Sequence, residues 1–205
     1  MQAGREQEDI VRRYKHNEIM HPNNFGPPDF QLREIGRVHS QFKQATGTPI
    51  QPYRAVDSMG QVVIHEEFRA GLADLAGFDR VWLIYWFHRA AAAKMRVVPY
   101  RDTVAHGLFA TRVPARPNPV GMSCVRLLDV EGNILRLGEV DILDDTPLLD
   151  IKPYVPQYDN YPVERCGWLD SVPDLRVVAD DRFERKDLPR PASVFDQHKL
   201  PNSNR

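Results

Sequence analysis

Apolar residues in this chain fall mostly in short runs of period two, broken by glycine and proline, which is the signature of strands rather than helices. The most hydrophobic run is Val81-Trp82-Leu83-Ile84-Tyr85-Trp86-Phe87. Its β-branched and aromatic density predicts a strand buried on both faces, emerging at the rim of the core as His88-Arg89. A first strand is expected over 32–40, where Gly36 marks a bulge, and short strands at 53–56 and 61–65 flank a Ser58-Met59-Gly60 turn. Gly107 to Thr111 is read as a further short strand. From Ser123 to Leu143 the pattern predicts a hairpin, with Val125 and Leu127 alternating with Arg126, a turn at Glu131-Gly132-Asn133, and Leu135 and Leu137 returning. Gly138 shifts the phase so that Val140 and Ile142 continue the alternation, which predicts a bulge there and sets Asp141 on the opposite face. One stretch changes period. Phe68, Leu72 and Leu75 recur at helical spacing behind Glu66 and Glu67 and before Gly77, predicting one short amphipathic helix over 66–76.

These elements give a mainly β fold: a single closed or partly closed barrel with one short helix and a small C-terminal extension. The expected organisation is an N-terminal arm and linker at 1–30, the barrel domain at 31–158, and an extension and tail at 159–205. No βαβ rhythm, GxGxxG or P-loop occurs, so a doubly wound nucleotide-binding sheet is excluded.

Composition narrows the picture further. The formal net charge of the 205 residues is −1, so nucleic acid is not attracted by a global field. Any RNA contact has to be local, with Arg12-Arg13-Lys15, Lys94-Arg96 and Arg101 as candidates. No apolar run of about 18 residues exists and the N-terminus is charged, so a cytoplasmic protein without membrane contact is expected. Scattered histidines and two cysteines offer no metal-ligand spacing, and Cys124 reads as a small buried hydrophobe. A Ser123-His88-Asp150 triad lacks the sharp turn that exposes a nucleophilic serine.

Two stretches break the surrounding pattern. Ala110 to Ser123 holds Pro114, Pro117 and Pro119 between apolar runs, with Arg112, Arg116 and Asn118 on a rigid frame. Asp144 to Tyr154 crowds Asp144, Asp145, Asp150, Lys152 and Tyr154 around two prolines. Asp150 and Lys152, two apart on an extended segment, face one side and can pair.

Gln51-Pro52, Phe87-His88-Arg89, Phe109-Ala110-Thr111-Arg112, the run Arg116-Pro117-Asn118-Pro119-Val120-Gly121-Met122-Ser123 and the run Asp144-Asp145-Thr146-Pro147-Leu148-Leu149-Asp150-Ile151-Lys152-Pro153-Tyr154 occur in one order. Together they resemble the TsaA-like (TrmO) family, from about Leu32 to Tyr158. The resemblance implies an S-adenosyl-L-methionine-dependent methyltransferase on a β-barrel, a homodimer that methylates N6 of the threonylcarbamoyl-adenosine next to the anticodon of tRNA. It places Gln51, Pro52, His88, Arg89, Arg112, Met122, Asp141, Ile142, Leu143 and Asp144 at the cofactor, and Arg116 and Asn118 at the substrate. For catalysis the expectation is Asp150 as acceptor of the N6 proton, Lys152 orienting it and Tyr154 positioning the base. A methyltransferase on another RNA or a small molecule, or a non-catalytic S-adenosylmethionine-binding protein, are the alternatives. The family usually has serine where Val113 stands, and glycine, free to take φ > 0, where Asp145 stands.

Overall fold

The computed structural model describes residues 31–173 and 178–187. The N-terminal arm, with its Arg12-Arg13-Lys15 cluster, and the tail from 188 lie outside them. Six strands close an antiparallel barrel: β1 (Gly36–Ser40), β2 (Met59–Ile64), β3 (Arg80–Trp86), β6 (Val120–Glu131), β7 (Ile134–Gly138) and β8 (Thr146–Pro153). The order around the barrel is β1-β2-β7-β6-β3-β8. A separate two-stranded sheet joins β4 (Arg96–Val97) to β5 (His106–Gly107).

Alternation fills the barrel. Val38, Val62, Ile64, Val81, Leu83, Tyr85, Val125, Leu135, Leu137 and Leu148 point inward and are almost fully buried. At about 25 cal/mol per Å² of apolar surface, such a set supplies the main favourable contribution to folding. Closure removes free sheet edges. Val140 and Ile142, from the β7–β8 connection, join the same core. A second cluster gathers Val97, Leu108, Val113, Ala115 and Phe183, so the apolar Val113 packs where the family's serine would place a hydroxyl.

Several local expectations change. β3 buries one face fully and the other only in part, because Trp82 and Ile84 point outward between β6 and β8. Gly36 sits in regular pairing; it is needed because a Cβ there would press on the Val63 carbonyl across the sheet. The helix over 66–76 is instead two 3-10 segments, Glu66–Leu72 and Leu75–Gly77, broken where Asp74 takes φ 65°. Phe68, Leu72 and Leu75 still pack on the core, so the apolar spacing served contact while the run stayed too short and glycine-broken to propagate an α-helix. The α-helix of the described residues is the single turn α1 (Pro156–Asp159). Residues 53–56 are not a strand but follow from a 3-10 turn at Pro52–Arg54, and 107–111 becomes a 3-10 turn at Leu108–Ala110.

The hairpin bulge also moves. Leu127 pairs with Leu137 and Asp129 with Arg136, leaving Leu128 of β6 as the extra residue. Gly138 is paired on both sides, to Met59 and to Arg126, so the slip is taken up on the longer strand. The phase change after Gly138 comes from Glu139 at φ 61°. Asp145 has φ 61° as well, the left-handed conformation for which the family uses glycine. An aspartate tolerates it, and here Arg37 pairs with its carboxylate at 2.8 Å and donates to its carbonyl at 3.2 Å.

Candidate active site

A cavity of about 290 Å³ opens at the barrel end where β3 emerges and β6 begins. Its floor is aromatic. Tyr85 and Phe87 meet edge to face at 5.2 Å, and Gly121 is required beneath them because any Cβ would collide with both rings. Neither ring is among the site residues the sequence offers, since inside so apolar a run a cavity-lining aromatic is indistinguishable from core.

Asp141 reaches this cavity because Glu139 turns the chain and Val140 and Ile142 anchor in the core on either side. Its carboxylate accepts a hydrogen bond from Ser123 Oγ at 2.6 Å, and the Tyr85 hydroxyl lies 3.1 Å from that same oxygen. With Ser123 donating to the carboxylate, Tyr85 donates to Ser123, giving a Tyr85–Ser123–Asp141 relay whose tyrosine and serine are buried. Burial pushes the Asp141 carboxyl up to about 7, with the Ser123 hydrogen bond and nearby Arg112 offsetting part of the rise. Burial and the Asp141 charge push the Tyr85 phenol above its ordinary value, so it stays protonated. Among the described residues no cation forms an ion pair with Asp141. A carboxylate balanced near neutrality in a cleft is a recurrent mark of proton-transfer chemistry.

His88 stands opposite, at the end of β3. Burial pulls its imidazole down to about 4, so it is neutral. Thr146 Oγ1 donates to Leu143 O at 2.7 Å and lies 3.4 Å from His88 Nδ1, which assigns the proton to Nδ1. His88 Nε2 is then an acceptor, and it is buried without a hydrogen-bond partner. Such an atom costs free energy unless a ligand supplies a donor. Arg112 donates to Gln51 Oε1 at 3.0 Å, holding one guanidinium at the cavity wall.

The structure therefore gathers Gln51, His88, Arg89, Arg112, Arg116, Met122, Asp141, Ile142 and Leu143 around one cavity. Arg89 acts there as a clamp: its Nη2 pairs with Glu184 at 2.7 Å, both side chains being buried, and its Nη1 donates to Lys43 O at 2.8 Å. Other expected positions lie elsewhere. Pro52 and Asn118 do not line the cavity. Asp144 is buried outside it, accepting from Ser40 N at 3.0 Å and pairing with Lys43 at 2.7 Å, so its charge is spent on β1 and the following loop. Asp150 and Lys152 pair at 2.8 Å as expected, but on the exposed outer face of β8, and Tyr154 lies against Trp82 at 6.0 Å.

Part of the wall had no signal in the sequence. Residues 178–187 cross the cavity as a strap. Val178 pairs with Pro49, Ala179 N donates to Thr48 O at 2.7 Å, and Phe183 O accepts from Ala91 N at 2.8 Å. Ala179, Phe183 and Glu184 thus line the cavity. These contacts are long-range, and no local pattern announces them.

The donor set suits a zwitterionic ligand with a flat apolar part: Arg112 and Arg116 for a carboxylate, Asp141 and His88 Nε2 for N–H groups, and aromatic rings beneath. Comparison with known proteins agrees with this character. The model of the tRNA-methyltransferase O N-terminal domain matches residues 37–160. A Pyrococcus abyssi protein named "Probable S-adenosyl-L-methionine-binding protein" is 51% identical over 150 residues, 73% of this chain and 82% of that protein. The Escherichia coli tRNA (adenine(37)-N6)-methyltransferase is 34% identical over 159 residues, 73% of this chain and 68% of that enzyme. A crystal structure of TrmO from Pseudomonas aeruginosa superposes with a TM-score of 0.60 at 36% identity, covering 70% of this chain and 64% of that one. This chain thus spans about two thirds of those methyltransferases.

Proposed function

The chain belongs to the TrmO family, and from that premise we propose that it is an S-adenosyl-L-methionine-dependent methyltransferase acting on N6 of threonylcarbamoyl-adenosine beside the tRNA anticodon. S-adenosylmethionine, when bound, supplies an electrophilic methyl group on a positively charged sulfur. The chain's own residues do the rest. Arg112, fixed by Gln51, holds a carboxylate, and His88 Nε2 accepts an N–H. Tyr85 and Phe87 give the flat apolar wall. The strap, tied through Arg89 and Glu184, keeps water from one side.

N6 of the acceptor loses a proton as it gains a methyl group, and its lone pair is weakened by delocalisation into the ring. Asp141 takes that proton. Of the two cavity carboxylates, Glu184 is paired with Arg89, whereas Asp141 forms no ion pair among the described residues and is positioned by Ser123. Asp150, held by Lys152 on the outer face, does not lie along the cavity wall. The observation that carries this reading is the convergence of Arg112, Met122, His88 and Asp141, from separate segments within the matched family region, on one cavity. We also propose that the protein is a homodimer, because Met122 lines the cavity yet is half-exposed, and a second copy would shield it.

The test uses purified protein, S-adenosylmethionine and tRNA carrying N6-threonylcarbamoyl-adenosine, read by mass spectrometry of the nucleosides. One added methyl group at that nucleoside is expected. Cofactor binding by calorimetry without any transfer would instead favour a non-catalytic binding protein.

A further inference from the structure

Phe109 is the most exposed large apolar side chain among the described residues, at 76%. It is not on a loose loop. It sits in the 3-10 turn Leu108–Ala110, between Leu108, which is 1% exposed, and Thr111, which is buried. Trp168 Nε1 donates to Ala110 O at 2.8 Å, and Trp168 itself stacks on His106 at 4.5 Å and 19°. His106 is in turn paired with Asp102 at 2.7 Å. The backbone is thus pinned on both sides of a ring that is held out into water, against the hydrophobic effect.

One face of that ring is already taken. The Arg116 guanidinium lies over it at 5.7 Å, fixed by donation to Thr111 O at 2.9 Å and Leu108 O at 3.4 Å. Arg116 also lines the cavity. A single side chain therefore connects the site of chemistry to an exposed aromatic face carrying positive charge. An aliphatic protein partner would gain nothing from the fixed cation. A flat base attached to a phosphate backbone gains from both, by stacking on the ring and by attraction to the guanidinium.

We propose that Phe109, backed by Arg116, is a stacking platform for an unpaired nucleobase of the substrate RNA loop, next to the base that enters the cavity. The proposal rests on the tRNA reading above and adds the residue that recognises the loop as single-stranded. Stacking on one aromatic contributes on the order of 1–3 kcal/mol per base, about 5- to 150-fold in affinity.

The experiment compares wild type, Phe109→Ala, Phe109→Trp and Phe109→Leu as full chains. It measures KM for tRNA, the Kd of S-adenosylmethionine and the oligomeric state. Phe109→Ala is expected to raise KM for tRNA tenfold or more and to leave the cofactor Kd and oligomeric state unchanged. Phe109→Trp restores KM and Phe109→Leu does not. An unchanged KM in Phe109→Ala, full rescue by leucine, an equal loss of cofactor affinity, or a change of oligomeric state would each overturn the proposal; the last would show that a second copy covers the ring. Should wild type transfer no methyl to tRNA, the functional reading fails by itself. The platform is then judged on binding of a fluorescent anticodon stem-loop, where loss in Phe109→Ala and recovery in Phe109→Trp support it and equal binding sinks it.

Discussion

Two segments of this protein share a composition and differ in fate. Ala110 to Ser123 and Asp144 to Tyr154 both set prolines and charges beside apolar runs. The first wraps the cavity, with Arg112, Arg116 and Met122 in its wall. The second becomes β8, and register decides where its charges go. Leu148 pairs with Gly36 and Tyr85 and turns into the core, while Asp150 and Lys152, opposite Ile84 and Trp82, face outward. Proline and charge together mark a rigid segment. They do not say which face it presents, because that depends on a partner strand more than sixty residues away in the chain.

The same comparison separates Asp141 from Asp150, and the largest expected effect tests it. Asp141→Asn should lower the methylation rate by about 10² to 10⁴, the usual contribution of a positioned general base, whereas Asp150→Asn should leave it within twofold. In wild type the rate should rise with pH through about 7 as Asp141 ionises. The same residue should limit stability. A carboxyl whose folded value lies above its unfolded value supports the fold at low pH and loses that support as pH rises through about 7. Because that support is fully present only below the ordinary value of 3.8, Asp141→Asn, still accepting from Ser123, should raise Tm at pH 8 and change it little at about pH 3.5. Thermal melts at the two pH values check the sign.

Next in size is the clamp on the strap. Arg89 and Glu184 are both buried and joined at 2.7 Å, so removing one partner strands the other. Arg89→Ala should destabilise by about 3–5 kcal/mol, measured by urea denaturation, and weaken cofactor binding. The double replacement Arg89→Met with Glu184→Leu should recover much of the stability if the loss is due to the stranded charge.

Much of the barrel was legible because alternation is a local property. The Val125 and Leu127 pair and Leu135 with Leu137 point inward as their spacing indicates, apart from Leu127, which is only partly buried, whereas the run from Val81, expected to bury both faces, buries one fully. Asp141 was legible as a residue facing away from Val140 and Ile142. What stayed hidden needed contacts that no window contains. The Ser123–Asp141 bond joins β6 to a turn set by Glu139, and the strap joins residues 178–187 to loops near 48 and 90. The 66–76 stretch misled because 3-10 turns and α-helices place apolar residues at nearly the same spacing.

The smallest expected effect is the most selective. Ser123→Ala removes one hydrogen bond that favours the charged form of Asp141 while leaving the carboxylate in place. A hydrogen bond to a charged group contributes about 1.5–3 kcal/mol, so the Asp141 carboxyl should rise by roughly one to two pH units. The midpoint of the rate–pH profile should move up by the same amount, with the limiting rate at high pH largely retained. If Asp141 served only to hold the cofactor, the change would appear in the S-adenosylmethionine KM and the midpoint would stay where it was. A shifted midpoint at saturating cofactor therefore distinguishes a proton acceptor from a binding carboxylate at the same position.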